Sequence, residues 1–450
     1  MGNKKVAIIG AGITGLTTAF YLKKAGIPFR IFEKTDHIGG VIRTEKENGF
    51  VYETGPNSGV LANAETVEFF EDLGDLCPPE IADTASAKRL IWKNGKWVPL
   101  PSGPAGGVFT PLFNWKDKLR LLGEPFRKKG TNPNETLSEM VIRRMGKSFL
   151  EYAIDPFILG IYAGDPAYIV PKYALPKLYN LEQDYGSFIG GAIKKKREKK
   201  SPVEKKVSRE IFSVRGGLQQ LTDTLANIAG HENIETNSKN LLVEKGRDGY
   251  RIRFKDRQEN FSHVVSTINA GELKQTFPFI GPKHWQNIVN LKYAKVTEVA
   301  IGFKKWNGMP LNAFGGLIPF KENRDILGVL FMSSLFKNRA PEGGALLTTF
   351  VGGTRKPHLA ELPEEELFQL IKKELQVTMQ INTEPDLFRH AVHRQAIAQY
   401  GADSEARYRA IADIELQHHG LYLGGSIRDG IGMADRIKQA RTISADIINK

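Results

Sequence analysis

Three glycines and one acid carry the first chemical signal in this chain. In "VAIIGAGITGLTTAFYLKKAGIPFRIFEK", Gly10, Gly12 and Gly15 follow the uninterrupted apolar run Val6 to Ile9, and Glu33 stands 18 positions after Gly15. That spacing suits a dinucleotide. Gly10 permits a tight exit from a strand, Gly12 lets main chain approach a pyrophosphate, and Gly15 lets a helix lie close on a sheet. Free N–H groups around Ala11, Ile13 and Thr14, with the partial positive charge of a helix N-terminus, then face the phosphates. Glu33 would accept hydrogen bonds from ribose hydroxyls and disfavour a 2′-phosphate, which argues against NADP. The competing reading is a glycine-rich turn that holds nothing.

The elements that must position these residues are legible around them. Val6 to Ile9 reads as a strand buried on both faces of a parallel sheet. Leu16, Ala19, Phe20 and Leu22 recur at helical spacing until Gly26 and Pro28, and Phe29 to Phe32 forms a second strand. The tail repeats the theme: a strand Leu421 to Leu423, the glycines Gly424, Gly425, Gly430 and Gly432, then a helix from about Met433. A ligand held by both chain ends is long, which favours FAD over a nicotinamide nucleotide. Ser426, Ile431, Gly432 and Met433 therefore join the expected cofactor set.

Composition sets outer bounds. The 450 residues suffice for two or three domains, with 41% hydrophobic and 25% charged residues. The single cysteine, Cys77, excludes an internal disulfide and reads as an inert half-buried thiol in a reducing compartment. No apolar run reaches the roughly 18 residues of a membrane span, and no secretory leader opens the chain, so a cytoplasmic location is expected. Of the formal charge of +13, the run Lys194 to Lys206, eight basic and two acidic residues, supplies +6. It reads as a solvated loop or as a patch for anionic lipid; with no aromatic to stack on a base, nucleic acid is not expected.

The expected fold is mixed α/β and α+β. A discontinuous Rossmann-like domain (1–83, 209–270 and 404–450) would carry the dinucleotide. A mainly helical insertion (84–208), opened by the Asn94-Gly95 hairpin, and an antiparallel-sheet domain (271–403) would complete the chain.

More specific segments carry a resemblance. "GGVIRT", "ETGPNS" at Glu53 to Ser58, "GIYAGDP" at Gly160 to Pro166, "YGSFIGG", "SVRGGLQQL" and "FGGLIP" at Phe314 to Pro319 occur in order along nearly the whole chain. In these the chain resembles the protoporphyrinogen and coproporphyrinogen III oxidases of haem biosynthesis, within the wider superfamily of FAD amine oxidases and carotenoid desaturases. It departs at "AIAQY", where relatives often carry a proline and soon after it a Gly-His pair; here Ala398 stands and no such pair follows.

The resemblance implies non-covalent FAD and a six-electron oxidation of a porphyrinogen to a porphyrin, with dioxygen reduced to hydrogen peroxide. Protoporphyrinogen IX is the preferred substrate and coproporphyrinogen III the alternative; an amine oxidase, a carotenoid desaturase or a non-catalytic flavin or porphyrin carrier are remote ones. The cofactor set extends to Lys34, Gly40, Val41, Arg43, Gly55, Pro56, Asn57, Ser58 and, through its backbone, Leu241. Arg89 matches a propionate-binding arginine, though an arginine on a hairpin is otherwise plain surface. Phe314, Gly315, Gly316 and Leu317 match a segment lining the macrocycle, Phe350 a hydrophobic wall that could equally be core, and Gly164 leaves room for a flat ligand. The flavin carries the chemistry, so no dedicated catalytic residue is expected, and the scattered histidines show no ligand spacing, so no metal is expected. Partners would include an anionic membrane surface on the inner face of the plasma membrane, a ferrochelatase receiving product, or a second copy of the chain.

Overall fold

The computed structural model describes residues 4–101, 103–199 and 201–450. The opening strand Val6–Ile9 lies in the middle of a five-stranded parallel sheet, flanked on one side by Phe29–Phe32 and Ile234–Glu235 and on the other by His263–Ser266 and Leu421–Leu423. Its side chains alternate between two cores, as the period of a strand demands. Val6 and Ile8 pack toward the helices, whereas Ala7 and Ile9 pack toward a three-stranded meander spanning residues 242–261. On the meander side Phe32 meets Phe254 and Phe261 edge-on, with ring centroids 4.8 and 5.8 Å apart.

The two ends of the chain meet on the helical side. The helices Ile13–Lys24 and Met433–Asn449 pack against each other. Lys4 Nζ donates to the carbonyl of Ile447 at 2.9 Å. Both helix N-termini consequently open at the same edge of the sheet, beyond the carboxyl ends of the strands, where ligands of such sheets bind.

A seven-stranded sheet forms the other half. Its order is Leu387–Ala398, Tyr293–Phe303, Ala345–Gly352, Gly328–Leu330, Gly315–Leu317, Arg89–Lys93 and Lys96–Pro99. All neighbours are antiparallel except Gly315–Leu317 beside Arg89–Lys93. The hairpin expected within the helical insertion thus joins this sheet instead. Its turn forms as its sequence dictates, with Asn94 and Gly95 at φ 50° and 77°. Trp92 faces the sheet's core, and Trp97 packs beside it, edge-on at 4.9 Å. One face of the sheet is covered by the helix Glu364–Thr378 through Leu367, Ile371 and Leu375.

Between the hairpin and residue 205 the described residues form short helices joined by loops. The centre of this segment is a buried charge cluster, in which Arg144 bonds Glu124 at 2.5 Å and Glu182 at 2.7 Å. Glu124 also accepts from the amides of Phe188 and Ile189, which fixes the start of the helix Phe188–Arg197. The run Lys194 to Lys206 is therefore largely two short exposed helices rather than a loop; Lys200 lies outside the described residues.

Candidate active site

A cavity of about 1430 Å³ runs from the glycine loop of the parallel sheet to the second face of the seven-stranded sheet. That exceeds the roughly 300–1,000 Å³ usual for one small ligand, so the space suits two. At the first end the geometry is set by main chain. A Cβ at Gly15 would stand 2.0 Å from the carbonyl oxygen of Gly10, so only glycine lets the helix approach the strand. Gly12 caps that helix without any side-chain bond, leaving the first-turn N–H groups free for a ligand.

Glu33 is buried and does more than await a ribose. Its Oε2 accepts from the Ala11 amide at 3.0 Å and its Oε1 from the Thr35 amide at 2.9 Å, so the acid also fixes the loop that faces the phosphates. The paired glycines are stitched to the same loop. Gly39 donates its N–H to the Ala11 carbonyl at 2.9 Å. Gly40, at φ 65°, passes so near Gly12 that a Cβ would lie 3.1 Å from its Cα. Gly55 is similarly constrained, its would-be Cβ 1.8 Å from the Val41 carbonyl.

Gly10, Gly12, Ile13, Thr14, Glu33, Lys34, Gly40, Val41, Gly55, Pro56, Asn57, Ser58, Leu241, Ser426, Ile431, Gly432 and Met433 all line the cavity. Ala11 and Gly15 stand just behind this wall, the first through its bond to Glu33 and the second through its contact with Gly10. Arg43 is not brought to the cavity. It follows the buried Ile42 and turns outward, its Nε 2.6 Å from Glu45.

Of the residues expected to hold substrate, Phe314, Leu317 and Phe350 line the cavity. Gly315 and Gly316 do not: they are needed for strand packing, a Cβ at Gly316 falling 2.2 Å from the Trp97 ring. Gly164 is likewise behind the wall, where a Cβ would stand 2.5 Å from Gln399 Oε1. Arg89 is exposed beside the cavity, its guanidinium 5.9 Å from the Phe314 ring centroid, with no carboxylate partner among the described residues.

Two polar residues of the wall escaped the sequence reading. Glu298 sits in the strand Tyr293–Phe303, opposite Phe350 on one neighbouring strand and Ala391 on the other. It is 3% exposed, and Asn57 Nδ2 donates to its Oε1 at 2.6 Å. Burial, with the nearby Glu53 carboxyl, pushes its pKa well above the usual range. His393 pairs with Val296 one step along the same face, and its Nε2 lies 2.8 Å from the Thr54 carbonyl oxygen. Burial lowers the His393 pKa. The signal for Glu298 was available: it is the one charged residue in the strand end "VTEVAIGF".

The residues present fit a flavin dinucleotide. The uncapped helix start at Gly12, the close pass of Gly40, where a Cβ would crowd Gly12, and the buried, unpartnered Asn57 Oδ1 offer donors, space and an acceptor along one elongated cavity.

Comparison with known proteins agrees. Residues 13–448 match the family described as flavin containing amine oxidoreductase. Protoporphyrinogen oxidase 2, chloroplastic/mitochondrial, of Arabidopsis thaliana is 32% identical over 97% of this chain and 92% of its own. Coproporphyrinogen III oxidase of Bacillus subtilis (strain 168) is 26% identical over 99% of this chain and 98% of its own. In fold, the chain superposes on a crystal structure from Exiguobacterium sp. 255-15 with a TM-score of 0.83 at 22% identity, covering 100% and 99% of the two chains. A putrescine oxidase variant gives 0.70 at 16% identity, with 99% of both chains covered. The chain therefore belongs to the flavin containing amine oxidoreductase family and, within it, to the protoporphyrinogen and coproporphyrinogen III oxidase group, with FAD as its cofactor.

Proposed function

We propose that this enzyme oxidises protoporphyrinogen IX to protoporphyrin IX, using dioxygen as the final acceptor and releasing hydrogen peroxide. The family's activity comes from its relatives; the choice of substrate is carried by one observation. Beyond the Asn57 region the cavity wall is mostly apolar, built from Phe314, Leu317, Val329, Leu330, Phe350 and Ile397, with Glu298, His393 and Gln395 as polar members and no lysine or arginine beside them in the lining. The cations lining the cavity are Lys34 and Lys239, at the glycine-loop end beside Glu33 and Leu241, and Arg436, on the closing helix and bonded to the Gly425 carbonyl; Lys34 is paired with Glu272 at 2.6 Å. Arg89 remains beside the macrocycle end with no carboxylate partner among the described residues.

Coproporphyrinogen carries a propionate on each of its four pyrroles, and an apolar wall would strand some of them without partners at a cost of several kcal/mol. Protoporphyrinogen places vinyl groups at two of those positions. Arg89 would hold a propionate, Phe314, Leu317 and Phe350 the pyrrole faces, and the glycine loop, Glu33 and the closing helix the FAD. Bound flavin supplies the hydride acceptor; the chain supplies orientation and exclusion of water. Cys77 is buried away from the cavity, so no thiol is at hand to tether the cofactor.

The test is turnover of both porphyrinogens in air, followed by the appearance of porphyrin fluorescence. Protoporphyrinogen should be favoured at least tenfold in kcat/KM. Equal or reversed preference would refute the substrate assignment.

The same reading includes peripheral attachment to an anionic membrane. Among the described residues no helix is long and apolar enough to cross one. Yet Phe109, Trp115, Leu119, Leu122 and Phe126 are 64–90% exposed, and three of them share one face of the helix Trp115–Leu122. Such a cluster beside Lys116 and Lys118, with the basic helix Phe188–Arg197 anchored through Glu124, suits insertion at a head-group boundary. Replacing Trp115, Leu122 and Phe126 with serine should abolish sedimentation with anionic vesicles at low salt. Undiminished sedimentation would remove this surface from the reading.

A further inference from the structure

Converting a porphyrinogen to a porphyrin removes two of its four pyrrole N–H protons along with the meso hydrogens, and a proton shed as hydride leaves needs an acceptor in a cavity built to exclude water. Glu298 is a carboxyl group in the wall of that cavity, and the binding roles assigned above leave it unused. It belongs to a row of side chains on the cavity face of the sheet, with Phe350 opposite it on one side and Ala391 on the other. Its Oε1 accepts from Asn57 Nδ2, and Oε2 has no protein partner among the described residues. Asn57 in turn is held by a weaker bond to the Gly55 carbonyl at 3.3 Å. A buried acid held at one oxygen and open at the other is placed to exchange a proton with a ligand.

We propose that Glu298 is a catalytic base of the reaction, receiving the pyrrole N–H proton at its free oxygen while Asn57 holds the other. The proposal rests on the porphyrinogen reading above. In the step, a meso C–H bond breaks and its electron pair leaves with hydrogen as hydride to the oxidant, the bound flavin. A pyrrole N–H bond breaks, its electron pair stays on nitrogen to form the C=N bond, and the proton forms an O–H bond on the Glu298 carboxylate. The macrocycle gives up one hydride and one proton, so its charge does not change.

The surroundings set the acid's strength. From the Gly55–Ser58 loop it is faced by neutral Asn57; from the adjoining strand Phe50–Glu53 by Glu53, whose own charge is engaged with Arg339 at 3.1 Å. His393 lies diagonally across on Leu387–Ala398, and burial lowers its pKa. No cation contacts Glu298 among the described residues. The same burial that raises its pKa makes its carboxylate a stronger base than an exposed one. Positive charge developing on the macrocycle as hydride departs then favours the transfer.

The experiment uses FAD-loaded protein, with anaerobic single-turnover bleaching of the flavin by protoporphyrinogen measured across pH. The wild type should show a limb that rises with pH through the Glu298 pKa. Glu298→Gln, which keeps an acceptor for Asn57, should bind FAD and substrate within twofold of wild type, bleach about a hundredfold more slowly or worse, and lose that limb. Glu298→Asp should recover part of the rate. Infrared spectra of the resting protein should contain a protonated-carboxyl band that Glu298→Gln removes. A Glu298→Gln protein that bleaches at the wild-type rate, or a limb that disappears in His393→Gln and persists in Glu298→Gln, would overturn the assignment while leaving the porphyrinogen reading intact. A wild-type protein that no porphyrinogen bleaches would overturn both.

Discussion

The two ends of the cavity are built by different means. At the dinucleotide end, main chain does the shaping: Gly15, Gly40 and Gly55 are required because neighbouring backbone atoms crowd the place of a Cβ, and Gly10 because its φ of 103° disfavours any other residue. At the macrocycle end, side chains do it: Leu317, Phe350 and Ile397 stand on strands from separate stretches of sequence, and Phe314 just precedes the strand of Leu317. The first construction tolerates almost no substitution and recognises what all FAD proteins share. The second can be re-lined without disturbing the sheet, and it is where substrate choice resides.

That contrast can be broken most forcefully at Gly15. Gly15→Ala should cost about 3 kcal/mol or more of stability, because the obstructing atom is a main-chain oxygen that cannot rotate away. The variant should purify without flavin absorbance and melt well below wild type; a yellow, stable variant would refute the packing account. Phe350→Ala should behave in the opposite manner. Flavin content should be unchanged, whereas KM for protoporphyrinogen should rise about thirtyfold, or about 2 kcal/mol. If flavin is lost instead, the division between the two ends is misplaced.

Arg89→Ala is the milder test of the substrate end. Removing one exposed, charge-assisted contact should raise KM about tenfold, or about 1.4 kcal/mol, with kcat and flavin retained. An unchanged KM would return Arg89 to plain surface. The smallest expected effect concerns pH. The folded-state pKa of Glu298 is raised above its unfolded value, so its contribution to stability is complete below the ordinary carboxylate range and is lost as pH rises through the folded pKa. Glu298→Gln removes that loss. Its melting temperature should gain on wild type as pH rises above the ordinary carboxylate range; a constant difference would contradict the raised pKa.

The same contrast governs what could be read from the sequence. Glycines required by backbone contact announce themselves at fixed spacing, so the dinucleotide loop and the glycine-rich tail were legible, as was the Asn94-Gly95 turn. Pairings over long separations were not. The hairpin Arg89–Pro99 reads as part of the helical segment that follows it, yet it binds Gly315–Leu317 across more than two hundred residues, because Trp92 and Trp97 need the sheet's core. Glycine identity also misled where its reason was packing. Gly164, Gly315 and Gly316 make room for Gln399, Val329 and Trp97 rather than for a ligand.

Arg43 shows the limit of motif transfer, since its neighbour Val41 reaches the cavity and its own side chain turns to Glu45. Glu298 and His393 were invisible as a pair. They lie about a hundred residues apart and share a face only through strand register, although a lone acid inside an apolar strand is a signal worth pursuing.

The most direct test of the central assignment is anaerobic titration of the purified, yellow protein with protoporphyrinogen IX while the flavin bands are recorded. The bands should bleach and porphyrin fluorescence should appear, with three flavins reduced per porphyrin formed. A protein that carries FAD yet keeps its oxidised spectrum with both protoporphyrinogen and coproporphyrinogen would contradict the assignment.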